Sequence, residues 1–302
     1  MICSIRFMPG DAPVAEGVRL MLPSLPRAER RVAMTLLEDY PAAGLGTVAS
    51  LATRAGTSGP TVLRLAARLG FTGFAGLQQA LRDELTDRHA SPLAQYGKCD
   101  GAAAGSRAGE VKPELVKTAG GAPLHGFDSS FGRLNWRHVE RSVGLLADRR
   151  RPVVTAGGRF SGLLARYLAL HLQELRPAVT WVGELERMGT LLDIGRRHVV
   201  VVFDFRRYQR DTVRLGRAAA RQGATLLLAT DPWLSPLAAD ADLILPVEVE
   251  APSPFDSLVP AMALVEMLVA GVVHALGDQP RERIARYDRL WRDDAFDCAP
   301  SE

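Results

Sequence analysis

The sequence predicts two fold classes in one chain: an all-α helix-turn-helix bundle over residues 21–90, and a doubly wound α/β parallel sheet over residues 135–278. Three observations predict this. Apolar residues recur at helical spacing through the first stretch. Composition shifts to Gly, Ala and Pro between Gly97 and Gly126. From Asn135 onward short apolar runs alternate with helical patterns, which implies strands with helices on both faces. At 302 residues the chain can bury two cores, and 47% hydrophobic with 24% charged residues suits a soluble globular protein.

Within the bundle, Leu25, Val32, Leu36 and Tyr40 repeat along a helix that begins near Ser24 and Pro26. Val48, Leu51, Ala52 and Ala55 follow at the same spacing, with Thr47 placed to cap the first free amides. Gly56-Thr57-Ser58 breaks that helix, Ser58 can cap the next, and Pro60 fits its first turn. There Val62, Leu65, Ala66 and Leu69 form a buried stripe, while Thr61, Arg64 and Arg68 lie beside it and are expected to face outward. Phe74, Leu77, Leu81 and Leu85 close the bundle. A short helix, a tight turn and an exposed basic helix suit the major groove of DNA, with Ser58, Thr61, Arg64 and Arg68 as contact candidates. Net charge is only +3, so such contacts must come from local placement.

Thr61-Val62, Arg64 and Gly70-Phe71-Thr72-Gly73-Phe74 resemble the amino-terminal domain of RpiR-type bacterial transcriptional regulators. That resemblance implies a regulator that binds double-stranded DNA.

In the second half, Pro152–Ala156, Ala178–Val182, His198–Phe203, Ala224–Ala229 and Asp242–Val247 read as buried parallel strands. Phe160–Leu175, Asp211–Gln222 and Leu258–Leu276 read as helices. Ligands on such sheets bind at the carboxyl ends of the strands, which points to the loops at 156–161, 203–212 and 230–236. Gly157 and Gly158 let backbone amides approach a ligand, and Arg159 and Ser161 follow at a helix start that favours an anion. A Gly-x-Gly-x-x-Gly spacing is missing, so no dinucleotide or other cofactor is expected.

Ser161, Asp231, Ser235-Pro236-Leu237-Ala238 and Ala241-Asp242 resemble the motifs of a SIS (sugar isomerase) domain, the phosphosugar-binding module of RpiR-type regulators. One loop departs from the pattern. Where the family carries Ser-x-Ser-Gly-x-Thr, this chain reads Asp204-Phe205-Arg206-Arg207-Tyr208-Gln209, ahead of Thr212. Two readings stand: Arg206 or Arg207 binds an acidic effector, a carboxylate or phosphate, or Asp204 and the arginines form a salt-bridged plug. Ser253 is a further polar contact candidate from a loop over the site, and Asp256 is expected to cap the last helix.

Cys3, Cys99 and Cys298 are scattered, and His125, His138, His171, His198 and His274 show no ligand spacing, so neither a metal nor a catalytic residue is expected. Met8-Pro9-Gly10-Asp11 interrupts any secretory signal. Leu258–Leu276 is apolar, but Glu266 at its centre costs about 2.5–3.5 kcal/mol in a bilayer, so it reads as a buried helix of a cytoplasmic protein without a membrane anchor. Residues 1–20 and 279–302 are expected as tails and 91–134 as a flexible linker.

The resulting expectation is a DNA-binding regulator, a homodimer or homotetramer, whose SIS-like sheet binds a small anionic metabolite. Two rivals remain. One is a sugar-phosphate isomerase of the same sheet fold, using Glu184, Glu186 or Asp204 as acid or base. The other is a regulator whose sheet serves only dimerisation.

Overall fold

A computed structural model describes residues 13–88, 93, 95–96, 113–251 and 253–296, and the chain divides into two units. In the first, α1 (Val14–Met21), α2 (Arg27–Glu38), the short α3 (Ala42–Leu45), α4 (Val48–Arg54), α5 (Gly59–Arg68) and α6 (Phe74–Arg88) surround one apolar core. Val32, Leu36, Leu51, Val62, Leu65, Ala66, Leu69, Leu77 and Leu81 are all buried in it. Thr47 caps α4 by accepting a hydrogen bond from the Ser50 amide at 3.1 Å.

Two identical chain reversals shape the central pair. After α4, Gly56 takes a left-handed backbone (φ +58), its amide reaches Thr53 O, and the Thr57 amide reaches Ala52 O. After α5, Gly70 (φ +84) repeats the pattern, with its amide on Ala67 O and the Phe71 amide on Ala66 O. Both are Schellman stops, which use glycine because an L side chain resists that conformation. Phe71 then packs into the core that Ala66 faces. The Gly-Phe dipeptide of the family motif is thus a helix stop with its apolar staple.

Part of the stretch 1–20, expected as a tail, is a helix. Residues 1–12 lie outside the described residues, and from Val14 the chain is helical. The Val14 amide donates to Glu84 Oε1 at 2.6 Å, and the Tyr40 hydroxyl donates to Glu84 Oε2, so α1 is tied to α6.

The second unit holds α7 (Pro113–Arg133), α8 (Trp136–Ala147), β1 (Val153–Gly157), α9 (Ser161–Leu175), β2 (Val179–Val182), α10 (Arg187–Asp193), β3 (Val199–Phe203), α11 (Arg210–Arg221), β4 (Thr225–Thr230), β5 (Leu243–Pro246), α12 (Val259–Leu276) and α13 (Arg281–Phe296). The five strands are parallel in the order β2-β1-β3-β4-β5. Val154, Ala156, Val200, Val202, Leu226 and Leu228 pack with Leu215 and Ala219 of α11 on one face. The helices α9 and α12 lie against each other, with α7 and α8 packed on α12. Chain order reverses between β1 and β3, which opens a crevice at their carboxyl ends.

Two corrections belong here, and one expectation stands. The stretch 113–133, read as linker, is a helix; its glycines weaken helix propensity, but packing on α12 and a 2.8 Å bond from the Glu248 amide to Ser130 Oγ secure it. The expected tail after residue 278 forms α13 as far as Phe296. The apolar Val259–Leu276 stretch has the length and composition to cross a membrane, yet Leu264, Val265, Leu268 and Val272 are buried within the unit and Glu266 lies on its exposed side. The 97–112 part of the expected linker lies outside the described residues.

Arg176, at the end of α9, is fully buried without a carboxylate. Its guanidinium donates to Leu146 O at 2.7 Å, to Pro177 O at 3.2 Å and to Arg151 O, joining three segments at the amino-terminal edge of the sheet.

Candidate functional site

On the helical unit, α5 offers its outer face to solvent, held from behind by α2 and α4. Glu29 of α2 is 4% exposed, and it anchors both arginines of α5: Arg68 Nε lies 2.6 Å from Oε2 and Arg64 Nε 3.7 Å from Oε1. Their side chains stay 50% and 61% exposed, so the guanidinium groups are oriented without being hidden. Thr61 differs from expectation. It is 3% exposed and faces inward, because it sits one turn before Leu65 on the buried stripe. Its hydroxyl accepts from Arg64 Nη2 at 3.0 Å and shares a 3.1 Å bond with Ser58 Oγ. Ser58 is the residue before α5, but its hydroxyl makes that bond and no capping bond.

In the sheet unit, a cavity of about 620 Å³ opens at the carboxyl ends of β1 and β3. Gly158, Arg159 and Ser161 line it from the β1–α9 loop, and Asp204, Arg206 and Arg207 from the β3–α11 loop. Ser161 joins the two loops: its hydroxyl donates to Phe203 O at 2.7 Å and accepts from the Gly158 amide at 2.8 Å. Gly157 is required by space. A Cβ there would come within 2.7 Å of the Ser161 and Gly162 backbone.

Asp204 is 2% exposed and makes no ion pair with the neighbouring arginines; its carboxylate accepts from Ser235 Oγ at 2.5 Å and from the Gln209 amide at 3.3 Å. Burial pushes its pKa up to about 7; the Ser235 and Gln209 bonds oppose this, the Asp231 charge adds to it, and Arg187 opposes it. The carboxylate that the arginines hold is Asp256. Arg206 donates to Asp256 Oδ1, and Arg207 Nη2 lies 3.8 Å from Oδ2. Asp256 therefore does not cap the following helix, whose preceding residue is Leu258 and whose Val259 amide bonds Ser257 Oγ at 3.3 Å. Arg207, standing where the family pattern has glycine, keeps a left-handed backbone (φ +70). The turn survives the loss of glycine, at a cost of about 1–2 kcal/mol.

The remaining expected contacts lie elsewhere. Tyr208 donates its hydroxyl to Asp231 Oδ1 at 2.7 Å, and Thr212 is fully buried, 3.5 Å from Arg187 Nη2. Among the described residues Ser253 bonds Phe255, accepting from its amide at 3.2 Å and donating to its carbonyl at 3.1 Å, and it is not part of the cavity lining. Sequence reasoning missed Gln209, Phe160, Phe205 and Phe255, which line the cavity, and Arg187, which is 5% exposed and donates to Gly157 O at 2.9 Å. The apolar lining had a signal in Phe160 and Phe205 of the first two strand-end loops and in Phe255 ahead of the α12 helix. Arg187 had none, because its partner is a backbone atom thirty positions away. Glu184 and Glu186, the carboxylates of the isomerase reading, are exposed and outside the lining.

The helical unit thus presents a tethered basic helix, and the sheet unit a crevice lined by arginines. Comparison with known proteins gives the class. The family model described as "Helix-turn-helix domain, rpiR family" matches residues 13–88, and the SIS domain model matches residues 145–271. The chain belongs to the RpiR-type transcriptional regulators. The HTH-type transcriptional regulator HexR of Pseudomonas aeruginosa is 27% identical over 269 residues, covering 85% of this chain and 88% of HexR. The sugar isomerase domain of an RpiR transcription factor from Sphaerobacter thermophilus has the same fold (TM-score 0.54, 23% identity), covering 58% of this chain and 99% of that one. So does the Vibrio vulnificus NanR protein complexed with ManNAc-6P (TM-score 0.51, 17% identity), covering 91% of this chain and 97% of that one.

Proposed function

We propose that this regulator binds DNA through α5 and releases or re-spaces it when a small anionic sugar derivative, a sugar phosphate or sugar carboxylate, enters the crevice of the sheet unit. The observation that carries the effector half is the Arg206–Asp256 pair, with Arg207 beside it: two guanidinium groups already hold an oxyanion at the cavity wall. An effector carrying a phosphate or carboxylate replaces the Asp256 carboxylate on Arg206 and Arg207, while Arg159 and Gln209 meet its hydroxyls. The aromatic side of the cavity, Phe160, Phe205 and Phe255, covers the carbon skeleton.

The isomerase alternative would need Asp204 or Asp256, the carboxylates of the cavity lining, as its acid or base, and each is already engaged: one by Ser235 and the Gln209 amide, the other by arginine. The protein acts in the cytoplasm as a homodimer or homotetramer reading paired half-sites, about 34–36 Å apart or a multiple of that. For a decisive switch the effector must prefer one arrangement by ~5.5 kcal/mol.

The test is a panel of sugar phosphates and sugar acids, scored by thermal midpoint and by affinity for a selected operator. At least one member should raise the midpoint and alter DNA affinity in the wild-type chain. Arg206→Ala should lose both responses while binding DNA as before. A normal response in that variant would remove Arg206 from the site.

A further inference from the structure

Around α5, at 100° per residue, the buried stripe of Thr61, Val62, Leu65, Ala66 and Leu69 leaves an outer face centred on Pro60 and Ala67, with Leu63 on one side and Arg64 on the other. The middle of the presented face is therefore apolar. Leu63 is 45% exposed, and the short side chain of Ala67 one turn on lets the helix approach a surface closely. The polar groups expected to read bases are engaged within the protein: the Ser58 and Thr61 hydroxyls bond each other, and Arg64 and Arg68 lean toward Glu29 along one edge.

A lone exposed leucine needs no explanation. Leu63 is set apart by its place, beside Pro60 and Ala67 on the outer face of α5, across those two residues from the cations Arg64 and Arg68. In the major groove the apolar feature is the C5-methyl group of thymine. We infer that Leu63 is a specificity-determining residue that packs on a thymine methyl group, while Arg64 and Arg68 serve the backbone and the adjoining edge. This rests on the reading that α5 enters the major groove.

Selection from random duplexes with the full chain supplies a preferred half-site. Each thymine in it is then replaced singly by deoxyuridine, which deletes only the methyl group. Wild-type affinity should fall about threefold to fivefold at one thymine, the factor for one methyl group left in water. Leu63→Ala should bind that site more weakly and be indifferent to the same replacement. Leu63→Gln, as a second variant, should shift preference at that position toward adenine. A half-site without a methyl-sensitive thymine, or equal sensitivity in wild type and Leu63→Ala, would overturn the inference and leave the docking of α5 in place. Failure to select any duplex would instead remove the docking reading itself.

Discussion

Arg68 places its Nε 2.6 Å from Glu29, so the basic edge of α5 is aimed by a carboxylate buried in the neighbouring helix α2. The pair sets orientation against charge. Glu29 cancels part of the positive field that DNA would meet, yet it fixes where that field points. Replacing it with glutamine should cost about 1–2 kcal/mol of stability. Because two arginines are then free to find phosphates, affinity for random duplex should rise and the slope of log K against log salt should steepen by about 1. Preference for the selected site should fall. Salt titrations on both duplexes check this, and an unchanged slope would show that the arginines already reach phosphate past Glu29.

In the proposed site Asp256 is an internal stand-in for the effector's anionic group. Asp256→Asn removes that competing charge from Arg206 and Arg207, so effector affinity should increase several-fold. The unliganded protein should lose stability, because a guanidinium only 9% exposed loses the charge of the Asp256 carboxylate. Titration calorimetry with the effector found in the panel, beside a urea melt, measures both. Loss of affinity in this variant would mean that Asp256 shapes the site and does not compete for it.

Asp204 gives the sheet unit a pH dependence. Its folded pKa, near 7, lies above the ordinary 3.8, so between these values the folded chain holds a proton that the unfolded chain has lost. Stability from this group is complete below about 4 and declines as pH rises through 7, by an amount of order a few kcal/mol. Asp204→Asn should flatten thermal midpoint against pH across that window. Anionic effectors should also bind better below pH 7, where the carboxyl is neutral. A wild-type midpoint that rises from pH 5 to 7.5, with the same profile in Asp204→Asn, would contradict the assignment.

Gly157 and Gly158 should separate on substitution. An alanine Cβ at 157 meets backbone atoms that cannot move without shifting the start of α9, so Gly157→Ala should destabilise by about 1–3 kcal/mol. At 158 the nearest atoms, 2.8 Å away, belong to the flexible Gln209 side chain. Gly158→Ala should therefore fold normally and bind effector less well, since Gln209 must swing into the cavity. Urea melts and effector titrations of the two variants distinguish these cases.

Much of this architecture was legible because it is local. Period and turn residues placed the helix-turn-helix, since Gly56 and Gly70 stop helices by their own backbone preference. The continuous apolar runs placed the strands, since both sheet faces are covered. What stayed hidden depends on partners distant in sequence. α7 holds several glycines and draws its support from α12. Thr61 is a local miss: one turn before Leu65 it belongs to the same buried stripe, and only its hydroxyl argued for the surface. The partner of Arg206 was sought in adjacent Asp204, whereas the fold delivers Asp256 from fifty positions away and gives Asp204 to Ser235. Periodicity announces faces; it does not announce which charge meets which.

Arg176 carries a consequence for the chain's preference for arginine, in which lysine appears only at 98, 112 and 117. On the surface the two cations exchange at little cost. At 176 a single planar fork reaches the carbonyls of Leu146, Arg151 and Pro177 together, and an ammonium on a single stem cannot span all three. A change of arginine to lysine that an exposed position would tolerate should halt there, because the fork holds three chain segments at once.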